Sequence, residues 1–110
     1  MSKAKKLFDF VQVGNSIETL YKVPNNEICL AKSLIVCNTD TAAAHEVTFH
    51  IVKKGDVAKP ANIACIVQIE PGDYTSVDFD QVLDMGDSIQ AVADAAEKIN
   101  VRGSGLEGVF

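Results

Sequence analysis

The sequence predicts an all-β protein, an antiparallel two-sheet β-sandwich of about eight strands, jelly-roll or immunoglobulin-like. Three observations predict it. Apolar side chains recur at every second residue in one short segment after another, the pattern of a strand with one covered face. Turn sequences such as "PNN", "PGD" and "DMGD" fall at intervals of about eight to twelve residues. No segment is long enough to serve as the helical crossover that parallel strands require.

Taken in order, "LFDFVQV" sets Phe8, Phe10 and Gln12 against Leu7, Asp9, Val11 and Val13, so both of its faces are partly apolar. "GNS" breaks it, "IETLYKV" follows, and Pro24-Asn25-Asn26 ends that segment with turn residues. "EICLAKSLIVCN" places Ile28, Leu30, Lys32, Leu34 and Val36 on one face and Cys29, Ala31, Ser33, Ile35 and Cys37 on the other. "HEVTFHIVK" alternates cleanly, with Val47, Phe49 and Ile51 inward and Glu46, Thr48 and His50 outward. "IACIVQIE" turns Ile63, Cys65, Val67 and Ile69 to one side. In Pro71-Gly72-Asp73 the Pro and Gly suit the two central positions of a turn. "YTSVDFDQV" sets Thr75, Val77 and Phe79 against Tyr74, Ser76, Asp78 and Asp80.

The stretch from Ser88 to Gly103 fits two templates. Ile89, Val92, Ala93 and Ala96 lie at helical spacing, with Asp87 or Ser88 available as a cap. Equally, "SIQAVA" and "KINVRG" read as two strands joined by a hairpin loop at "DAAE". Context selects the hairpin, because every other segment reads as a strand and a lone short helix is marginal.

The chain has 110 residues, enough for one domain. Residues 1–6 read as a basic N-terminal arm and 7–110 as a single sandwich. The start has no long apolar stretch and no cleavage site, so it reads as a mature N-terminus, and no apolar run approaches a membrane span. Cys29, Cys37 and Cys65, an odd number with no CxxC pair, read as reduced thiols within apolar runs.

Net charge is -5 and unevenly spread. Residues 1–59 hold eight lysines against six acidic residues, and residues 60–110 hold two basic residues against nine acidic ones. Such a second half repels phosphates, so nucleic acid is excluded as the expected partner.

Chemistry is weakly marked. Asp78, Asp80, Asp84 and Asp87 carry oxygen ligands suited to calcium, but the spacing lacks the glycine and glutamate of an EF-hand loop. His45 and His50, five apart on one strand, point to opposite faces, do not share a metal and read as exposed polar positions. There is no nucleophile elbow. "GSG" at 103–105 is too short to cradle a phosphate. No catalytic residue, metal or cofactor is expected. Sugar binding would need exposed aromatics, and the chain offers only Tyr21 and Tyr74 with no tryptophan.

Several segments taken together are similar to small virion structural proteins of tailed bacteriophages. They are Leu20–Pro24, Val36–Thr39, Pro71–Asp73, Gly86–Ala91 and Asn100–Arg102, within a resemblance that covers residues 17–107. "VPNNE" replaces a turn that more usually contains glycine, and "AAEKIN" is more polar than expected. The resemblance implies a non-enzymatic sandwich in many copies on a head or tail shell, a capsid decoration or cement protein first, a neck, tail or baseplate component second. The implied partners are further copies of the chain (a homo-oligomer, a trimer among the forms) and major capsid or tail proteins. The implied location is the virion, assembled in the host cytoplasm.

The residues agree with a role between neighbours. "LFDFVQV" suits strand addition onto another molecule. The lysines at 3, 5 and 6 suit an acidic neighbour, and the apolar tail "LEGVF" is unusual for a free end. The expected contact residues are therefore Lys3, Lys5, Lys6, Phe8, Phe10, Val109 and Phe110.

Overall fold

The computed structural model describes residues 3–109, as eight strands and one short 3₁₀ turn. The strands are β1 (Lys3–Val13), β2 (Glu18–Lys22), β3 (Ile28–Asn38), β4 (His45–Val52), β5 (Ile63–Ile69), β6 (Tyr74–Leu83), β7 (Ser88–Ala93) and β8 (Ile99–Gly108). Among the described residues no helix is long and apolar enough to cross a membrane.

One sheet has the order β1-β8-β3-β6 and the other β2-β7-β4-β5. The pairs β1·β8, β2·β7, β3·β6 and β4·β5 show the logic: the chain folds back on itself at the β4–β5 connection, and the doubled ribbon then wraps into two sheets. That is the double-sheet jelly roll. All pairing is antiparallel.

The core lies between the sheets. Val13, Leu34, Val36, Phe79, Leu83, Ile99 and Val101 enter from the first sheet, and Val47, Phe49, Ile69, Ile89 and Ala91 from the second. Phe49 and Phe79 meet edge to face across the middle, with centroids 6.1 Å apart and planes at 89°, an arrangement that sets the positive edge of one ring against the negative face of the other. Polar anchors hold the ends. Buried Asn38 donates from Nδ2 to the carbonyls of Ala43 and Ile69 and accepts from the Asp40 amide, tying the β3–β4 loop to the end of β5. At the opposite end the Asp87 side chain accepts from the Lys54 and Asp84 amides.

The turns form as their residues predict. Asp73 N–H donates to Glu70 O around Pro71 and Gly72, with Gly72 at φ +69. Asn26, in place of a glycine, adopts φ +64.

Four expectations change. The segments around 88–93 and 99–102 are strands, but not a hairpin: β7 and β8 lie in different sheets and pair with β4 and β3 instead. A short connection does not force adjacent strands to pair when each finds a better-covered neighbour across the wrap. Second, simple alternation fails in β3. A bulge at Lys32 inserts one residue, so Cys29, Ala31, Leu34 and Val36 all face inward. Third, the basic segment is, from Lys3 onward, the first half of β1 and pairs with β8 through Glu107. Fourth, β8 continues through 103–105 and runs to Gly108.

Candidate functional site

Three polar clusters hold Glu107, Tyr21 and the two histidines, and each fastens the fold. The first joins the two sheets at one end. Buried Glu107 of β8 accepts from the Tyr21 hydroxyl of β2 on one oxygen and from Lys5 Nζ, 2.6 Å away, on the other. Burial pushes the Glu107 carboxyl up, but the Lys5 and Tyr21 hydrogen bonds outweigh it and hold the group below its usual value. The hydrogen bond to Glu107 raises Lys5, and burial raises the Tyr21 hydroxyl.

The second cluster clamps His45. Its Nε2 lies 2.8 Å from Asp40 in the β3–β4 loop, and its Nδ1 lies 2.8 Å from Asp94 in the β7–β8 connection. The Asp40 hydrogen bond, then that of Asp94, raises the imidazole above its ordinary value, and the same contact draws Asp40 down to about 2. The third is His50, whose Nδ1 meets Asn62 Oδ1 at 2.7 Å while Asn62 Nδ2 donates to Val57 O, closing the β4–β5 connection. Both histidines are thus buried or mostly covered and engaged by their own chain, in contrast to the exposed polar positions expected of them.

The four aspartates of the 78–87 region separate. Asp80 pairs with Lys32 at 2.8 Å, Asp84 and Asp87 close a turn, and Asp78 stands exposed on β6. Among the described residues no group of three or more His, Cys, Asp or Glu is arranged to hold a metal. Tyr21 is buried, which leaves Tyr74, 64% exposed, as the tyrosine able to stack on a sugar. All three thiols are free, with Cys29 buried and Cys37 and Cys65 half-buried.

The expected contact residues divide. Phe8 lies on the inner side of β1: its ring fills the space beside Gly103 and packs with the core. Phe10, 55% exposed, lies on the outer side, with the Arg102 guanidinium 6.0 Å from its ring centroid, within the range of a cation–π contact. Lys5 is committed to Glu107. Lys6 makes an exposed pair with Asp9. Lys3 stands opposite Glu107 in the β1·β8 register. Val109 is 62% exposed, and Phe110 lies outside the described residues.

What remains open is the first sheet. Its outer strands, β1 with 11 residues and β6 with 10, are long, whereas the second sheet ends on β2 with five and β5 with seven. Long free edges are the ones that recruit other strands. Two rows cross this sheet from edge to edge. Ala4, Leu106, Leu30 and Val82 form one, and Lys6, Ser104, Ser33 and Asp78 the other. In the apolar row Leu106 and Leu30 are half-covered, Ala4 is exposed, and Val82 is 67% exposed. Sequence reasoning found β1 but missed β6 as its counterpart, because the opposition of the two edges exists only once the strand order is known.

No family model and no curated protein matches the chain. Solved structures do. A Bacillus endospore appendage protein from disulfide-linked pili aligns at TM-score 0.57 and 12% identity, over 96% of this chain and 86% of that one. An infectious bursal disease virus chain aligns at 0.42 and 9%, over 96% of this chain and 31% of its own. A pentameric capsid protein isolated from metagenomic phage sequences aligns at 0.37 and 22%, over 90% of this chain and 60% of its own. The chain thus spans about a third of the bursal virus chain and under two thirds of the phage capsid protein. At these identities the likeness is one of fold alone, and the alignment with the appendage protein carries it: an antiparallel β-sandwich matched over nearly the whole chain.

Proposed function

We propose that this protein is a non-enzymatic structural component of a virus particle, most specifically a bacteriophage head-decoration or cement protein that binds the shell as an oligomer. The observation that carries the reading is the first sheet, whose two long edges are open and whose outer face carries an apolar row. Apolar surface and unpaired backbone at a sheet edge are what an assembly covers. The internal engagement of His45, His50, Glu107 and Tyr21 supports it, since groups capable of chemistry are used instead to tie loops and sheets together. The resemblance of Leu20–Pro24, Val36–Thr39 and Gly86–Ala91 to tailed-phage virion proteins supports the narrower placement, and Asn38 within it has a structural duty consistent with a shared scaffold.

The test is co-sedimentation of the purified protein with empty phage heads and, separately, with tails. Saturable binding to heads supports decoration. Binding to tails alone moves the protein to the neck, tail or baseplate. A protein that binds neither and stays monomeric rejects the reading.

A further inference from the structure

We infer that copies of this chain join head to tail, the β1 edge of one docking on the β6 edge of the next. The inference rests on the self-assembling reading above and deepens it by naming the surface and the partner, a second copy.

Four observations lead there. The two strands are the free edges of one sheet. Their charges are opposite: β1 carries Lys3, Lys5 (paired with Glu107) and Lys6 (in an exposed pair with Asp9), while β6 carries Asp78 and Asp80 (the latter paired with Lys32) and no basic residue. Their directions are compatible. Because β1·β8, β8·β3 and β3·β6 are all antiparallel, β1 and β6 run in opposite senses. A second copy moved sideways, without being turned over, therefore brings its β1 antiparallel to β6 of the first. Finally, one register sets opposite charges side by side: with the incoming Lys6 beside Asp78, antiparallel pairing brings the incoming Ala4 beside Asp80 and the incoming Phe8 beside Ser76.

Charge also disfavours two-fold alternatives. Pairing β1 with β1 about Lys5 sets lysines against lysines, and pairing β6 with β6 about Phe79 sets Asp78 against Asp80, so those dimers are opposed. The β1·β6 contact is heterologous, the kind that generates rings when the rotation closes.

Sedimentation velocity over a concentration series tests this, with Lys6→Glu, Asp78→Lys and the double variant. Both positions are exposed, so far-UV circular dichroism is expected to be unchanged. Each single reversal turns attraction into repulsion and is expected to weaken self-association about tenfold, with the double variant back within about threefold of the wild type. Single variants that associate normally, or a double variant as weak as the singles, overturn the inference. Hydrogen exchange gives a check without mutation: amides protected on raising concentration are expected in β1 and β6. Association with protection in β2 and β5 instead defeats this edge pairing and leaves the structural reading standing. A wild type that is monomeric throughout and binds no particle component defeats both.

Discussion

Phe8 and Phe10 stand two residues apart in one strand, and strict alternation puts them on the same face. The structure separates them through register shifts on either side of Phe8, which turn Phe8 inward and Phe10 outward. Truncating each to alanine should therefore have very unequal consequences. A fully buried phenylalanine costs about 3–5 kcal/mol on truncation. Phe8 is half-covered, so a loss of about 2 kcal/mol is expected for Phe8→Ala. At the usual entropy per residue, a chain of this length unfolds with about 0.23 kcal/mol/K, so Phe8→Ala lowers Tm by about 9 °C. Phe10→Ala loses only an exposed contact with Arg102. Its cost should stay within about 0.5 kcal/mol, or about 2 °C.

Gly103 makes the argument sharper. A Cβ there would lie 2.5 Å from Phe8 Cε1 and 3.0 Å from Leu34 Cδ2. Gly103→Ala alone should cost about 1–3 kcal/mol by overpacking, and about 1 kcal/mol less once Phe8 is already alanine. Urea unfolding of the four proteins in the cycle, read by circular dichroism at low concentration, measures the coupling. Equal losses for the two phenylalanine variants, or additivity within about 0.3 kcal/mol between positions 8 and 103, would refute the inward placement of Phe8.

Gly105→Ala should cost about 3 kcal/mol or more in the same unfolding assay, because its Cβ would collide with the Leu30 carbonyl oxygen, a backbone atom that cannot swing aside. Lys5→Met should destabilise the protein at pH 7, and progressively less as pH falls below about 4.5. Glu107 sits below its usual value in the folded state, so its contribution is present above about 4.5 and is lost as pH falls through the folded value. His45→Gln should flatten the alkaline side of the stability profile in thermal melts from about pH 5 to 9. A raised His45 contributes fully below about 6.5 and loses that contribution as pH rises through the folded value. A wild type with no greater alkaline loss than His45→Gln would disprove the clamp.

Stretches with one covered face and a regular ladder were legible in the residues. β4 keeps to the expected alternation as far as Phe49, where its register with β5 shifts and His50 and Val52 are buried beyond it. β4 shows its alternation through Val47 and Phe49, and β7 through Ile89, Ala91 and Ala93, because each is a central strand whose inner side meets the core directly. The second half of β8 was not legible. Gly103 and Gly105 have poor strand propensity, yet they are there because Phe8 and the β3 backbone occupy the space their side chains would need. The start of β1 was hidden for a related reason: three lysines read as a solvated end until β8 is seen alongside. The His45 clamp draws on Asp94, 49 residues away, and Glu107 meets Tyr21 across 86, so neither leaves a local signal.

The placement of the irregularities bears on how the molecule is used. Lone sandwiches blunt their edges with short strands, charges and bulges. The second sheet relies on short edge strands, five and seven residues long. The first sheet keeps long edges and relies on charge and on bulges, in β1 on either side of Phe8 and in β6 where Asp80 adopts φ +49 and binds Lys32. Were protection the sole purpose, either sign on both edges would serve, since like charges repel every incoming edge of the same protein. Lysine on β1 and aspartate on β6 repel only self-same pairing and leave the mixed pairing attractive. The choice of sign is therefore the part of the sequence that edge protection does not explain and that ordered association does.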